Sequence, residues 1–82
     1  MKKIYRLDKS KAMKLTEQYV YHSQLTNEQQ KAYKCVAMDG HTFGEAESIL
    51  GKPRKTINTH CNRASEKIKQ AQKMVAFVIN QL

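Results

Sequence analysis

From Arg54 to Leu82 the chain contains neither glycine nor proline, and Ile57, Cys61, Ala64, Ile68, Ala71, Val75, Val78 and Leu82 recur in alternating steps of four and three. Residues spaced this way return to one side of an α-helix, whereas a half-buried strand needs period two. The seam runs for more than three heptads and predicts one extended helix, or two helices with a slight break. A chain of 82 residues that gives a third of its length to such an element is expected to be all-α, a compact domain with a long C-terminal helix. At that size it buries only somewhat over roughly half of its unfolded surface, so a partner subunit would add stability.

Two shorter helices are written upstream in nearly the same way. Thr26 and Gln29 match a capping box, in which the N-cap hydroxyl accepts an early amide while the third residue reaches back. Ala32, Tyr33, Val36 and Ala37 then form the expected inward band, with Cys35 beside it, until Asp39-Gly40 ends the segment. Thr42 and Glu45 repeat the box, Phe43, Ala46, Ile49 and Leu50 supply an apolar side, and Gly51 offers the positive φ that releases a helix of about two turns. Pro53 suits the first position of the helix that follows, where a missing amide proton costs nothing. Residues 1–24 are less determined. Ile4, Tyr5 and Leu7 could cover a core edge, and Lys9 to His22 could form an accessory helix with Ala12, Leu15, Tyr19 and His22 on one side. A short strand or a basic arm is the alternative; the tyrosines and leucine, which need packing, favour the helix.

The formal charge of +8 is unevenly placed: residues 1–24 carry +4, residues 25–50 carry −2 and residues 51–82 carry +6. An acidic middle between basic flanks favours a polyanionic partner, although a basic surface alone also suits a membrane surface or simple solubility. The start, Met1-Lys2-Lys3-Ile4-Tyr5-Arg6, lacks the apolar run of a secretory signal, and no stretch of 18 apolar residues is present. The expected location is the cytoplasm, in association with that polyanion and away from membrane. Cys35 and Cys61 fall at apolar helical positions, which favours buried free thiols in a reducing compartment over one disulfide, a redox pair or metal ligation. With His22, His41 and His60 they make no compact ligand spacing, so neither metal nor other cofactor is expected. Asp39 and His41 flank a turn glycine with no nucleophile placed beside them, and no glycine-rich phosphate loop occurs, so an enzyme is not expected.

The stretch Thr42 to Arg63 therefore reads as a short capped helix, a tight break and a second helix with a basic, amide-rich outer side, which is the layout of a helix-turn-helix. With Ile57, Cys61 and Ala64 turned inward alongside Phe43, Ala46 and Ile49, the residues left to meet base edges of double-stranded DNA are Lys55, Asn58, Thr59 and Asn62. Lysine donates to guanine acceptors, asparagine matches adenine with a donor and an acceptor, and threonine offers a hydroxyl or a methyl. Thr42, Lys52, Arg54, Thr56, Arg63 and Lys67 suit phosphate contacts, which fix register and bring salt-dependent affinity. The bland alternative is an ordinary solvated face. His60 either touches phosphate or lies at the domain edge.

Gly51 with Arg54-Lys55-Thr56-Ile57-Asn58-Thr59-His60 resembles the turn and the recurrent Lys-Thr-Val-x-Thr-His segment of LuxR-type regulators, and is similar to the sigma-factor region that reads the upstream promoter element. The likeness covers about residues 26–68. It implies that Lys55, Asn58, Thr59 and Asn62 lie toward DNA while Leu50, Ile57 and Cys61 hold the motif together. Four positions depart from the pattern: Glu47 stands where alanine is common, Lys52 where an apolar residue follows the glycine, Pro53 at a serine-like cap, and Ala64 where a larger apolar residue is usual. The spacing from Asp39-Gly40 to Leu50-Gly51 is also similar to that of TrfB-type plasmid repressors, which implies a dimeric arrangement and a small plasmid or phage repressor.

These observations divide the single domain into an arm or accessory helix at 1–24, a DNA-binding core at 26–68 and a dimerisation helix at 69–82. Ala71, Met74, Val75, Val78 and Leu82 are the expected pairing residues of a homodimer, because Met74 to Ile79 is apolar around the whole helix. Packing of the seam against residues 12–25 is the competing reading. The main functional alternative is a protein-binding adaptor or anti-activator that lays the same apolar end on a host regulator. Activation rather than repression would add RNA polymerase as a partner.

Overall fold

A computed structural model of the chain describes residues 8–81, and these are all-α. Helix α1 spans Lys9–Ser23, α2 spans Asn27–Tyr33 and continues as a single π-turn over Lys34–Met38, α3 spans Phe43–Leu50, and α4 spans Arg54–Gln81 without a break. At 1.5 Å per residue α4 is a rod of about 42 Å, and it sets the long dimension of a molecule measuring 52 × 18 × 17 Å. Ile4, Tyr5, Leu7 and Leu82, with the basic start of the chain, lie outside the described residues.

Both expected capping boxes form. The Thr26 hydroxyl accepts from the Gln29 amide at 3.2 Å and the Gln29 carboxamide accepts from the Thr26 amide at 3.1 Å, and Thr42 and Glu45 exchange the same bonds at 3.1 and 2.9 Å. Gly40 and Gly51 adopt φ of 79° and 66°, the left-handed conformation that ends a helix without a Cβ clash.

The core has two storeys along α4. In the lower one, nearest the α3–α4 turn, Ala32, Cys35 and Ala46 close on Ile57 and Cys61, with Val36, Phe43 and Leu50 at the margin. In the upper one Val20, Leu25 and Tyr33 close on Ala64 and Ile68, with Tyr21 and Ala71 at the margin. The seam read from the sequence is thus buried from Ile57 to Ile68, half-covered at Ala71 and Val75, and exposed at Val78. Intramolecular packing claims its first half. Antiparallel α1 runs along α4 from Val20, beside Ala64 and Ile68, toward its start at Lys9, and on the way the Met13 carbonyl accepts from the Gln72 side-chain Nε2 at 3.1 Å.

Three inward faces differ from the sequence expectation. Helix α1 turns Ala12, Met13, Thr16, Glu17, Val20 and Tyr21 toward the domain, so that of the expected face only Ala12 is partly covered, while Leu15 and Tyr19 are 59% and 64% exposed and His22 is exposed as well. Polar members hide this face: Thr16 satisfies itself on the Ala12 carbonyl at 2.7 Å, and Glu17 accepts the Tyr33 hydroxyl at 2.6 Å. The π-turn, in which the Asp39 amide reaches back five residues to the Lys34 carbonyl at 2.8 Å, carries Cys35 inward and Ala37 out. In α3 the face is Phe43, Ala46 and Leu50, while Ile49 is exposed.

Candidate nucleic-acid interface

The α3–α4 turn is capped from α3 rather than by its own residues. The Pro53 carbonyl accepts the first i→i−4 bond of α4, from the Ile57 amide, at 3.1 Å. Proline is therefore the N-cap residue and Arg54 the first helical one, a shift of one position from the expectation. A proline side chain cannot accept a capping bond. Glu47 of α3 does so instead: its carboxylate accepts from the Arg54 amide at 2.7 Å and sits 4.0 Å from the Arg54 guanidinium. That guanidinium lies over Gly44, where an added Cβ would meet it at 3.2 Å. Two of the departures noted above, Glu47 and Pro53, thus compensate each other.

Beyond the turn, α4 presents Lys55, Asn58, Thr59 and Asn62 to solvent, all four exposed. At about 100° per residue, Lys55 and Asn62 run down the middle of this face, with Asn58 on the side toward α3 and Thr59 on the side toward the α2 groove. The Thr59 hydroxyl donates to the Lys55 carbonyl at 3.0 Å, which leaves an oxygen lone pair and a methyl facing out. No acidic residue follows Glu47 until Glu66.

The other side of the face borders an open groove between α4 and the start of α2, lined by Thr26, Gln29, Lys55, Thr56, Thr59, His60 and Arg63. Thr26 and Gln29 are chemistry the sequence reading assigned only to capping, and half-buried His60 forms part of the wall. The only early signal for this groove was the capping box itself; its position against α4 is tertiary.

The basic residues are not equivalent. Lys52 stands 3.8 Å from Glu28, and Arg54 is drawn to Glu47. Among the described residues Lys55 and Arg63 have no carboxylate within ion-pair distance. Lys67 is tied down: its ammonium donates to the Gln24 carbonyl and to the Gln29 carboxamide, both at 3.0 Å, strapping α4 to the α1–α2 junction. Thr42 and Thr56 stay at the edges of the face, the first as the α3 cap and the second half-buried in the groove wall.

His41 lies 3.4 Å from Glu45, and the Thr42 amide, followed by the His41 side chain, holds the Glu45 carboxyl below its usual range. Cys35 and Cys61 are free and buried, and burial, followed by the neighbouring Cys35, pushes the Cys61 thiol up. Its Sγ donates to the Ala32 carbonyl at 3.2 Å. Among the described residues no three His, Cys, Asp or Glu side chains gather as for a metal, and no helix is long and apolar enough to cross a membrane.

At the far end of α4, Met74, Phe77 and Val78 are 71%, 65% and 54% exposed, whereas Ala71 packs on the upper storey and Val75 is half-covered. No family model, curated protein or solved structure matches the chain.

Proposed function

We propose that this chain is a sequence-specific double-stranded DNA-binding regulator, a repressor of the small plasmid or phage kind, working in the cytoplasm on its operator. The observation that carries the reading is the outward face of α4 just after the Glu47-capped turn: four exposed side chains with hydrogen-bonding options toward bases, flanked by cations, with no acidic residue between Glu47 and Glu66. Lys55, Asn58, Thr59 and Asn62 read base edges, and Thr42, Lys52, Arg54, Thr56 and Arg63 position the helix on phosphates. Lys67 contributes mainly by strapping α4 in place. Occupation of promoter DNA is enough to repress.

The protein acts as a homodimer joined through Met74, Phe77 and Val78, with Ala71 and Val75 at the margin of that contact. Large apolar side chains left exposed at one helix end support this arrangement. The same patch supports the second reading, an adaptor that lays α4 on a host regulator. Selection of bound duplexes from a random pool, followed by a salt series against random competitor, tests the main reading. Specific recognition requires a preferred sequence whose advantage survives when salt weakens the shared phosphate term. Binding of all duplexes alike would refute it, and a monomer at micromolar concentration by analytical ultracentrifugation would refute the homodimer.

A further inference from the structure

The groove between α2 and α4 has no role in a helix-turn-helix read only from its turn and second helix. We infer that it seats a backbone phosphate of one DNA strand, opposite the α3 flank that meets the other strand, so that α4 is clamped from both sides. The inference rests on the DNA-binding reading and adds Thr26 and His60 to its contacts.

The geometry is that of a face with two banks. Measured from Lys55 near the middle of the face, Arg54 lies roughly 100° to one side, where Glu47 and Gly44 place α3. Arg63, Thr56 and His60 lie roughly 80–140° to the other, where Thr26 forms the opposite wall. The major groove is about 12 Å wide between two phosphate rails, comparable with the roughly 10–12 Å diameter of one helix with its side chains. A helix lying in it therefore has a rail beside each bank. The α3 bank offers Arg54 and Thr42. The α2 bank offers the Arg63 guanidinium, which forks onto phosphate oxygens, with the Thr56 hydroxyl and the His60 ring as further donors. The Thr26 oxygen is engaged by the Gln29 amide, and its hydroxyl proton remains to be donated. No carboxylate lines this groove. Contacts on both rails fix the roll of α4 about its axis, and that roll decides whether Asn58 and Asn62 meet base edges.

Thr26→Asp tests this without disturbing the fold, because aspartate caps a helix at least as well as threonine while setting a negative charge on the bank. On the duplex obtained by selection, Thr26→Asp should lower affinity roughly ten-fold or more at low salt, with an unchanged melting temperature. Thr26→Ser should bind as the parent does. Arg63→Gln should lower the slope of log affinity against log salt by about one. Parent-like binding by Thr26→Asp, or an unchanged salt slope in Arg63→Gln, would overturn the clamp while leaving DNA binding intact. A parent protein that binds no duplex overturns the underlying reading and the clamp with it.

Discussion

If two copies join through the end of α4, the length of that helix limits which operators they can read. The reading face is centred near Thr59 and the apolar end near Phe77, eighteen residues further on one unbroken helix. At 1.5 Å per residue that arm is about 27 Å long, so two arms meeting at their ends hold their heads at most about 55 Å apart. Inverted half-sites one turn apart lie about 34–36 Å from centre to centre, and arms splayed by about 80° meet them. Half-sites two turns apart lie at about 70 Å, beyond full extension. Inserting ten base pairs between the half-sites keeps them on the same side of the duplex yet should break simultaneous contact. Inserting five should also break it, by rotating one site to the far side. The loss is that of bivalent attachment, about 10²- to 10⁴-fold in apparent affinity. Fluorescence anisotropy with labelled duplexes at one fixed salt concentration reads it directly. Equal affinity for the native and the ten-pair-longer operator would refute pairing through the end of α4.

Three further outcomes follow from the packing and the titrating groups. Ile57→Ala, at a side chain 1% exposed in the lower storey, should cost about 2–5 kcal/mol in denaturant unfolding, whereas Leu15→Ala at the exposed side of α1 should stay within about 0.5 kcal/mol; equal costs would mean the α1 face is misassigned. Glu45 has a folded pKa below its unfolded value, so its contribution is present above the usual carboxylate range near pH ~4.3 and fades as pH falls through the lower folded value. Glu45→Gln should therefore flatten the acid limb of the stability curve at that end, and an unaltered limb between parent and variant would count against the capping box. Cys35 and Cys61 should resist thiol reagents at neutral pH until the domain unfolds, since both are buried and the Cys61 thiolate is disfavoured; rapid labelling of the native protein would contradict the lower storey as described.

What could be read from the residues was whatever local chemistry decides. Thr26 with Gln29 and Thr42 with Glu45 sit within one turn of each other, and Gly51 needs only its own backbone, so caps and helix end were legible. The seam from Ile57 to Ile68 was legible because four buried apolar residues at regular spacing outweigh the helix's polar positions. The α1 face was not, because its inward side includes Thr16 and Glu17, whose polar groups are satisfied by the Ala12 carbonyl and the Tyr33 hydroxyl. The Cys35 orientation depends on a π-turn that adds one residue to the helical repeat, and no residue type in Lys34–Met38 announces it. At the interface the exposed set Lys55, Asn58, Thr59 and Asn62 followed from the seam by rotation. The cap supplied by Glu47 and the bank supplied by Thr26 did not, since each reaches α4 from a different helix.

The same architecture explains how so small a core can hold a reading surface at a fixed attitude. Helices α2 and α4 contribute to both storeys, while α3 belongs to the lower one and α1 to the upper. The lower storey, with the Glu47–Arg54 cap, sets the angle at which α4 leaves the turn. The upper storey, with Lys67 bonded to Gln24 and Gln29, holds the middle of α4 against the start of α2. The Lys67 strap and the proposed phosphate bank share Gln29, whose carboxamide oxygen accepts from both Lys67 and the Thr26 amide. A nearly buried glutamine at that junction thus couples the wall of the groove to the long helix. Loss of its side chain would remove one of the two Lys67 bonds and the side-chain half of the Thr26 capping box together, so one substitution would loosen both the strap and the groove wall.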